Sequence, residues 1–155
     1  MVMKGLTAAD VMTREVITVS ADATLREVAE ILTQAGISGA PVVDADGRLV
    51  GIISESDLLN EEKRREALPR TALYGAVPVS EEKLMRAYKG GMSLKAWDLM
   101  TRDVITADED TPADEVCDLM ITNRVNRIPV VRDGKPVGII TRSDLLLGML
   151  RSSED

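Results

Sequence analysis

The sequence predicts an α/β (α+β) fold made of two β-α-β-β-α repeats, and three pairs of matching segments support this prediction. Residues 51–59, Gly-Ile-Ile-Ser-Glu-Ser-Asp-Leu-Leu, return at 138–146 as Gly-Ile-Ile-Thr-Arg-Ser-Asp-Leu-Leu. Each half also contains one Met-Thr-Arg segment and one Pro-Val-Val segment, at 12–14 and 100–102 and at 41–43 and 129–131. Self-similarity of this kind indicates two copies of one supersecondary unit.

The repeats are expected at residues 7–68 and 94–150. A connector with a short helix is expected between them at 69–93, and a polar tail follows at 151–155. One copy alone has few residues with which to cover a three-stranded sheet. We therefore expect a pseudo-two-fold pair whose sheets pack together in one shared core, with the helices outside.

Repeat 1 begins with signals for two helices and a strand. Thr7 and Asp10 have the spacing of a capping box, which predicts a short first helix. The β-branched run at 16–19 predicts the first strand. Thr24 and Glu27 again have capping-box spacing, at the start of a longer amphipathic helix.

The rest of repeat 1 reads as a β-hairpin followed by a helix. A Pro-Val-Val strand, an Asp-Ala-Asp-Gly turn and a second apolar strand over 41–53 give the hairpin. Ser54 or Ser56 is expected to cap the next helix, which would begin at Asp57. Repeat 2 is expected to copy this order, with its last helix beginning at Asp144.

Composition narrows the classes of function. The 155-residue chain has a net charge of −7, which argues against nucleic acid or an anionic membrane as the main partner. It contains no His, which removes His-dependent catalytic triads and most transition-metal sites, so neither an enzyme nor a metal site is expected. The lone Cys117 is interpreted as a core residue. The lack of an internal disulfide, of a signal peptide and of a long apolar run suits a cytoplasmic protein.

Two glycines and two methionines recur at matching positions. Gly51 and Gly138 lie inside predicted strands, where glycine marks a bulge or the close approach of another segment. Met12 and Met100 are interpreted as side chains that fill the core.

The strand-to-helix joint, Ser/Thr-x-Ser-Asp at 54–57 and 141–144, is the candidate site, and two interpretations remain open. In the first, one hydroxyl and the acid cap a helix, although capping does not explain a hydroxyl two residues earlier in both copies. In the second, the acid accepts two hydrogen bonds from a cis-diol while the hydroxyls and free N–H groups face an anion. A ribose followed by a phosphate offers both groups.

The order of these motifs resembles a tandem pair of CBS (cystathionine β-synthase-type) domains, a Bateman module. The resemblance rests on the two Met-Thr-Arg segments, on the hydrophobic-Pro strands at 40–43 and 128–131, and on the joints that end 51–57 and 138–144. It covers nearly all of the chain except residues 60–95.

The resemblance implies a module that binds an adenosyl ligand, such as AMP, ADP, ATP or S-adenosylmethionine, as an effector and not as a cofactor. It implies a ribose and phosphate side formed by Ser54, Ser56, Asp57, Thr141, Arg142, Ser143 and Asp144. It implies an adenine pocket formed by Ile17, Thr18, Ile37, Ser38, Ile105, Thr106, Val125, Asn126 and Arg127. Further candidates for phosphate contacts are Arg14, Arg102 and Arg124. In this family a site usually joins the base-reading wall of one repeat to the acid of the other.

The two joints are not expected to bind equally. Arg142 stands beside Asp144, and Arg124 and Arg127 belong to the same repeat. The first joint carries Glu55 in place of Arg142, and this carboxylate would repel a phosphate. The sequence therefore predicts that Asp144 is the better nucleotide acid.

Two functions are consistent with these expectations. The first is a regulatory adenine-nucleotide binding module, homodimeric by family resemblance, that changes conformation with its ligand and signals to an unknown effector protein on another polypeptide. The second is a scaffold or partner-regulating protein whose ligand sites are vestigial.

Overall fold

The computed structural model describes residues 2–67 and 94–152 and confirms a mixed α/β fold with two related halves. The predicted connector at 69–93 and residues 153–155 of the predicted tail lie outside this range. The elements of repeat 1 are α1 (Ala8–Val11), β1 (Val19–Ser20), α2 (Leu25–Ala35), β2 (Gly39–Val43), β3 (Leu49–Ser54), α3 (Glu55–Leu59) and α4 (Glu61–Ala67). Those of repeat 2 are α5 (Ala96–Leu99), α6 (Ala113–Asn123), β4 (Arg127–Arg132), β5 (Lys135–Thr141) and α7 (Arg142–Ser152).

Each repeat contains the predicted hairpin with a parallel neighbour. β1 pairs in parallel with β2, and β2 pairs antiparallel with β3. In repeat 2 the hairpin is β4–β5, and Ala107 forms a single parallel bridge to Val130 at the place where repeat 1 has β1. The two hairpins meet at their turns, where the Leu49 backbone N–H donates to the Gly134 carbonyl oxygen at 2.8 Å.

The segments that precede the first strands are exchanged between the repeats. We call residues 3–14 and 94–102 the lead segments. Thr13, in the lead segment of repeat 1, exchanges backbone hydrogen bonds of 2.9 and 3.0 Å with Ile139 of β5. Thr101, in the lead segment of repeat 2, exchanges bonds of 2.9 and 2.8 Å with Ile52 of β3. Each hairpin therefore gains an edge pairing from the other repeat.

This exchange corrects the expectation of one shared core, because the buried apolar residues form two clusters. In one cluster Met3, Ala8, Val11 and Met12 pack on repeat 2, together with Ala107, Ala113, Val116, Met120, Ile128, Val130, Ile140 and Leu145. In the other, Leu94, Ala96, Leu99 and Met100 pack on repeat 1, together with Val19, Ala23, Val28, Leu32, Ala40, Val42 and Ile53. Cys117 is partly buried at the edge of the first cluster.

The recurring glycines and methionines meet at these crossings. A Cβ at Gly51 would overlap the Met100 side chain, and a Cβ at Gly138 would overlap that of Met12. Both methionines are buried. Close approach of another segment therefore explains both glycines, and the core role predicted for the methionines is confirmed.

The short helix α1 is held at its start by an acid clamp. The Thr7 backbone N–H and the Thr7 hydroxyl donate to Asp10 Oδ2 at 2.8 and 3.0 Å. These bonds hold the pKa of the Asp10 carboxyl below its ordinary value of about 3.8, and the backbone N–H makes the largest contribution. Among the described helices, none combines the length and the apolar character that crossing a membrane requires.

We expect Gly138→Ala to destabilise the protein by about 1–3 kcal/mol, because the added methyl overpacks against Met12. Urea unfolding of the single variants and of Gly138→Ala/Met12→Ala measures the effect. The double variant should be more stable than the sum of the two single changes predicts, by about 1 kcal/mol. Strict additivity would contradict the contact between the lead segment and β5.

We expect Asp10→Asn to lower the free energy of unfolding at neutral pH and to have less effect in acid. Because the folded state lowers the pKa of Asp10, its stabilisation is present above the unfolded pKa and is lost as the pH falls through the folded pKa. Urea unfolding between pH 2 and pH 7 should therefore show the two proteins converging below about pH 3.8. A constant difference across this range would rule out the clamp.

Candidate functional site

The first joint is a capping box between β3 and α3. The Ser54 backbone N–H and hydroxyl donate to Asp57 Oδ2 at 2.9 and 3.1 Å, and the Asp57 N–H donates to Ser54 Oγ at 3.4 Å. Helix α3 therefore begins at Glu55, with Ser54 as its cap and Asp57 as its third residue. The expectation that this helix begins at Asp57 is wrong.

The second joint has the same geometry between β5 and α7. Thr141 donates to Asp144 Oδ2 at 2.8 Å from its N–H and 3.1 Å from its hydroxyl, and the Asp144 N–H donates to Thr141 Oγ1 at 3.4 Å. Helix α7 begins at Arg142, two residues earlier than expected. The earlier hydroxyl in each joint is therefore the cap itself, which corrects the argument that capping cannot explain it. Ser56 Oγ lies 2.9 Å from the cap hydroxyl of Ser54, which leaves Ser143 as the hydroxyl that capping does not explain.

The second carboxylate oxygen of each acid has a different partner in the two joints. Asp57 Oδ1 accepts a hydrogen bond from Lys63 Nζ of α4 at 2.6 Å. Asp144 Oδ1 accepts one from the Thr13 hydroxyl at 3.1 Å. A cation thus faces the first acid, and a neutral hydroxyl from the lead segment faces the second.

A cleft of about 440 Å³ lies between the first joint and repeat 2. Its lining comprises Ser38, Ile52, Ser54, Glu55, Ser56, Asp57, Thr101, Asp103, Val104, Ile105, Arg124, Val125, Asn126, Arg127 and Arg142. The acid of one repeat therefore faces the segments at 103–105 and 124–127 of the other. Ile52 and Thr101, which form the exchanged backbone bridge, contribute to the wall.

Ten of the predicted site residues line this cleft, and the others do not. Those that line it are Ser38, Ser54, Ser56, Asp57, Ile105, Arg124, Val125, Asn126, Arg127 and Arg142. Those that do not are Arg14, Ile17, Thr18, Ile37, Arg102, Thr106, Thr141, Ser143 and Asp144. Ile37 lies in a separate apolar groove between α2 and α3, and Ile17 is 41% exposed.

Two of the candidate phosphate arginines are held against their own lead segments. Arg14 donates to the Ala9 carbonyl oxygen at 3.2 Å. Arg102 donates to the Trp97 carbonyl oxygen at 3.2 Å and places its guanidinium 4.1 Å from the centre of the Trp97 ring. Their guanidinium groups therefore have local partners away from the cleft.

Arg127 reaches across from repeat 2 to repeat 1. Its guanidinium donates to the Ser38 hydroxyl and occupies the space that a Cβ at Gly39 would need. Burial lowers the pKa of Arg127, and the nearby carboxylates of Glu55 and Asp57 raise it. Because arginine does not lose its proton in proteins, the group is a cation on the cleft wall.

Arg124 occupies an unfavourable backbone conformation at the C-terminus of α6. Its φ of 54° lies in the left-handed region, where residues other than glycine pay an energetic cost. The corresponding residue at the end of α2, offset by 88 positions, is Gly36 with a φ of 65°. Strain at a residue that faces a cleft is a reason to look for a functional role.

The placement of the arginines removes the premise for preferring Asp144. Arg124, Arg127 and Arg142 all line the cleft that contains Asp57. The prediction assumed that these arginines lie close to Asp144 because all four residues belong to repeat 2. The cleft instead joins the acid of repeat 1 to side chains of repeat 2. Which acid binds the ligand more strongly stays a prediction.

Reasoning from sequence missed Asp103 and Val104, which line the cleft, and Lys63, which contacts Asp57. Asp103 and Val104 directly precede Ile105, so the repeated segment offered a signal for them. Lys63 had no local signal, because it reaches Asp57 only where the helix is interrupted at Asn60. Within residues 2–67 and 94–152 no group of three or more acidic or thiol side chains forms a candidate metal centre.

The comparisons with known sequences identify both repeats. Residues 8–64 and 96–151 match the family model of the CBS domain. The uncharacterised protein MJ1426 of Methanocaldococcus jannaschii is 36% identical over 151 residues, covering 91% of this chain and 89% of that protein. Inosine-5'-monophosphate dehydrogenase of the same organism is 36% identical over 140 residues, covering 90% of this chain but 23% of that protein.

Similar solved structures are CBS proteins with and without ligands. The CBS domain of a membrane protein from Sphaerobacter thermophilus has a TM-score of 0.68 and 37% identity, and the match covers 94% of this chain and 88% of that one. CBSX2 of Arabidopsis thaliana, in complex with AMP, has a TM-score of 0.74 and 28% identity, with 96% and 99% covered. The CBS domain pair of protein MJ0100, in complex with 5'-methylthioadenosine and S-adenosyl-L-methionine, has a TM-score of 0.65 and 28% identity, with 96% and 98% covered.

The family model therefore matches the two structural repeats separately, and the neighbouring structures contain the same pair of repeats. The chain belongs to the CBS domain family and is a tandem CBS pair, or Bateman module.

Proposed function

We propose that the chain is a regulatory module that binds a phosphorylated adenosyl ligand, of which AMP is the simplest, in the cleft at Asp57. The observation that carries this proposal is the convergence of Arg124, Arg127 and Arg142 on a cleft that Asp57 also lines. AMP in CBSX2, and methylthioadenosine and S-adenosylmethionine in MJ0100, support the adenosyl class of ligand.

The cleft offers a partner for each part of such a ligand. Asp57 can accept the two hydroxyl groups of a ribose, and the hydroxyl of Ser56 adds a further polar contact. Val104, Ile105 and Val125 provide apolar surface for a purine. Guanidinium groups bind phosphate through paired hydrogen bonds, which suits the arginines to the other end of the ligand.

A comparison of the two repeats supports an anionic ligand in this cleft. At the positions of Arg124 and Arg127, repeat 1 carries glycine, and at the position of Arg142 it carries Glu55. The lining of the Asp57 cleft balances its acids, Glu55, Asp57 and Asp103, with these arginines, in a chain whose net charge is −7. Arginine side chains therefore concentrate where an anionic ligand would lie.

The regulatory output and the assembly belong to the same proposal. A ligand that contacts both repeats favours the arrangement that it fits best, and a partner protein can bind one arrangement preferentially. The exposed apolar side chains Leu146, Leu147 and Leu150 of α7 support a homodimer packed through helices. We place this module in the cytoplasm and assign it no catalytic role.

The same exposed surface favours the alternative of a scaffold protein with vestigial clefts. The two functions differ in their response to ligand, because a ligand that binds the native state raises the melting temperature by mass action. A melting temperature unchanged by millimolar AMP, ADP, ATP and S-adenosylmethionine would favour the scaffold.

We expect Asp57→Asn to weaken AMP binding by about tenfold to a hundredfold, because it removes a charged acceptor for the ribose hydroxyls. Asp144→Asn is the matched control, since it makes the same change in an equivalent capping box, and it should bind AMP as the wild type does. Isothermal titration calorimetry measures both. If only Asp144→Asn lost AMP affinity, the ligand site would lie at the second joint instead.

We expect Arg124→Gly to stabilise the fold and weaken AMP binding at once. Glycine relieves the positive φ, which should add about 0.5–1 kcal/mol to the free energy of unfolding. Loss of a phosphate partner should lower AMP affinity about tenfold and leave any adenosine binding unchanged.

Asp133→Gly is the control for Arg124→Gly, because Asp133 has the same φ of 54° in the β4–β5 turn. It should gain stability without a change in AMP affinity. Equal AMP affinity in wild type and Arg124→Gly would show that this arginine does not contact the phosphate.

A further inference from the structure

The carboxylate of Asp57 is already engaged on both oxygens. Oδ2 accepts two hydrogen bonds from Ser54 within the capping box. Oδ1 accepts the ammonium of Lys63 at 2.6 Å, in a pair whose side chains are only 15% and 32% exposed for Asp57 and Lys63. A ribose that donates two hydroxyls to this carboxylate needs Oδ1, because Oδ2 is occupied by the cap. The ligand and Lys63 therefore compete for the same acceptor, Oδ1 of Asp57.

Lys63 reaches Asp57 because the helix is interrupted between them. In one continuous α-helix, side chains six positions apart point about 120° away from each other and do not meet. Here α3 ends before Asn60, and the Asn60 side chain caps α4 by accepting the Lys63 backbone N–H at 3.0 Å. The break redirects α4, so that its lysine folds back onto the acid of the joint.

The second repeat lacks this arrangement and serves as an internal comparison. Its helix α7 continues without a break from Arg142 to Ser152. The residue at the position of Lys63, offset by 87, is Leu150, which is 63% exposed. Asp144 receives the Thr13 hydroxyl instead. The ion pair between a lysine and the acid of the joint is therefore found in the first joint and not in the second.

We propose that Lys63 is a latch that holds α4 against Asp57 and that the ribose of an adenosyl ligand displaces it from that carboxylate. The proposal rests on the adenosyl site proposed above and names the element that reports its occupancy. Helix α4 packs on α3 and on α5. Because α5 belongs to the lead segment that carries Thr101, release of α4 changes the packing beside the cleft wall.

Competition for one oxygen makes the coupling reciprocal. A ligand that must displace Lys63 binds more weakly, by the free energy of the Lys63–Asp57 interaction. By the same coupling free energy, the bound ligand favours release of α4. A partly exposed ion pair of this kind corresponds to roughly three- to tenfold in affinity. If Lys63 instead shared the oxygen and contacted the ligand, its removal would weaken binding.

The test compares wild type, Lys63→Met, Lys63→Arg and Arg64→Met. Calorimetric titration with AMP gives affinities, and hydrogen exchange of the backbone amides at 61–67 reports the order of α4. Arg64→Met is the matched control, because it removes one positive charge from the adjacent position of α4 and leaves the pair with Asp57 intact. Lys63→Arg keeps a cation in place and should restore wild-type behaviour.

We expect Lys63→Met to bind AMP about three- to tenfold more tightly than Arg64→Met, with α4 amides that exchange faster and no longer respond to AMP. In wild type, Lys63→Arg and Arg64→Met, AMP should speed exchange in α4. If Asp57→Asn weakens AMP binding but Lys63→Met binds AMP equally or more weakly than Arg64→Met, the latch is wrong and the proposed site stands. If wild type binds no AMP, both proposals fail.

Discussion

The exchange of lead segments between the repeats is the constraint on which the rest of the structure depends. Backbone hydrogen bonds join Thr13 to Ile139 and Thr101 to Ile52, and a methionine packs against a glycine beside each bridge. These contacts set the distance between the halves. Ile52 and Thr101 also line the cleft. The backbone pairing between β3 and the lead segment of repeat 2 therefore also forms part of the cleft wall. Fold and site are thus produced by one set of interactions.

The two oxygens of one carboxylate have different partners in the first joint. Oδ2 of Asp57 accepts the two hydrogen bonds of the helix cap, and Oδ1 points to a partner outside the joint. The sequence posed capping and binding as alternatives, but in the proposed site one oxygen would serve the cap and the other the ligand. An acid fixed by its own cap loses little freedom when it accepts a further hydrogen bond, which is the general advantage of preorganisation.

Much of the fold could be predicted because its signals are local. The hairpins, the cap at Thr24 and the close approach at Gly51 follow from turn chemistry, capping spacing and the absence of a side chain. The site was predicted less well, because its lining comes from both repeats and no spacing within one repeat brings these residues together. No local pattern predicts that Arg124 and Asp57 line the same cleft. Lys63 reaches the acid because the helix breaks at Asn60, and this break depends on a single cap within an otherwise helical segment.

Lead-segment exchange has a consequence for synthesis of the chain on the ribosome. The core of repeat 1 includes Leu94, Leu99 and Met100, so this repeat cannot bury its sheet until these residues have been made as well. The core of repeat 2 includes Met3 and Met12, so the lead segment at 3–14 must wait until β4 and β5 have been made. Contacts so distant in sequence slow folding and link its steps. The two repeats therefore reach the native state together, although each resembles a domain of its own.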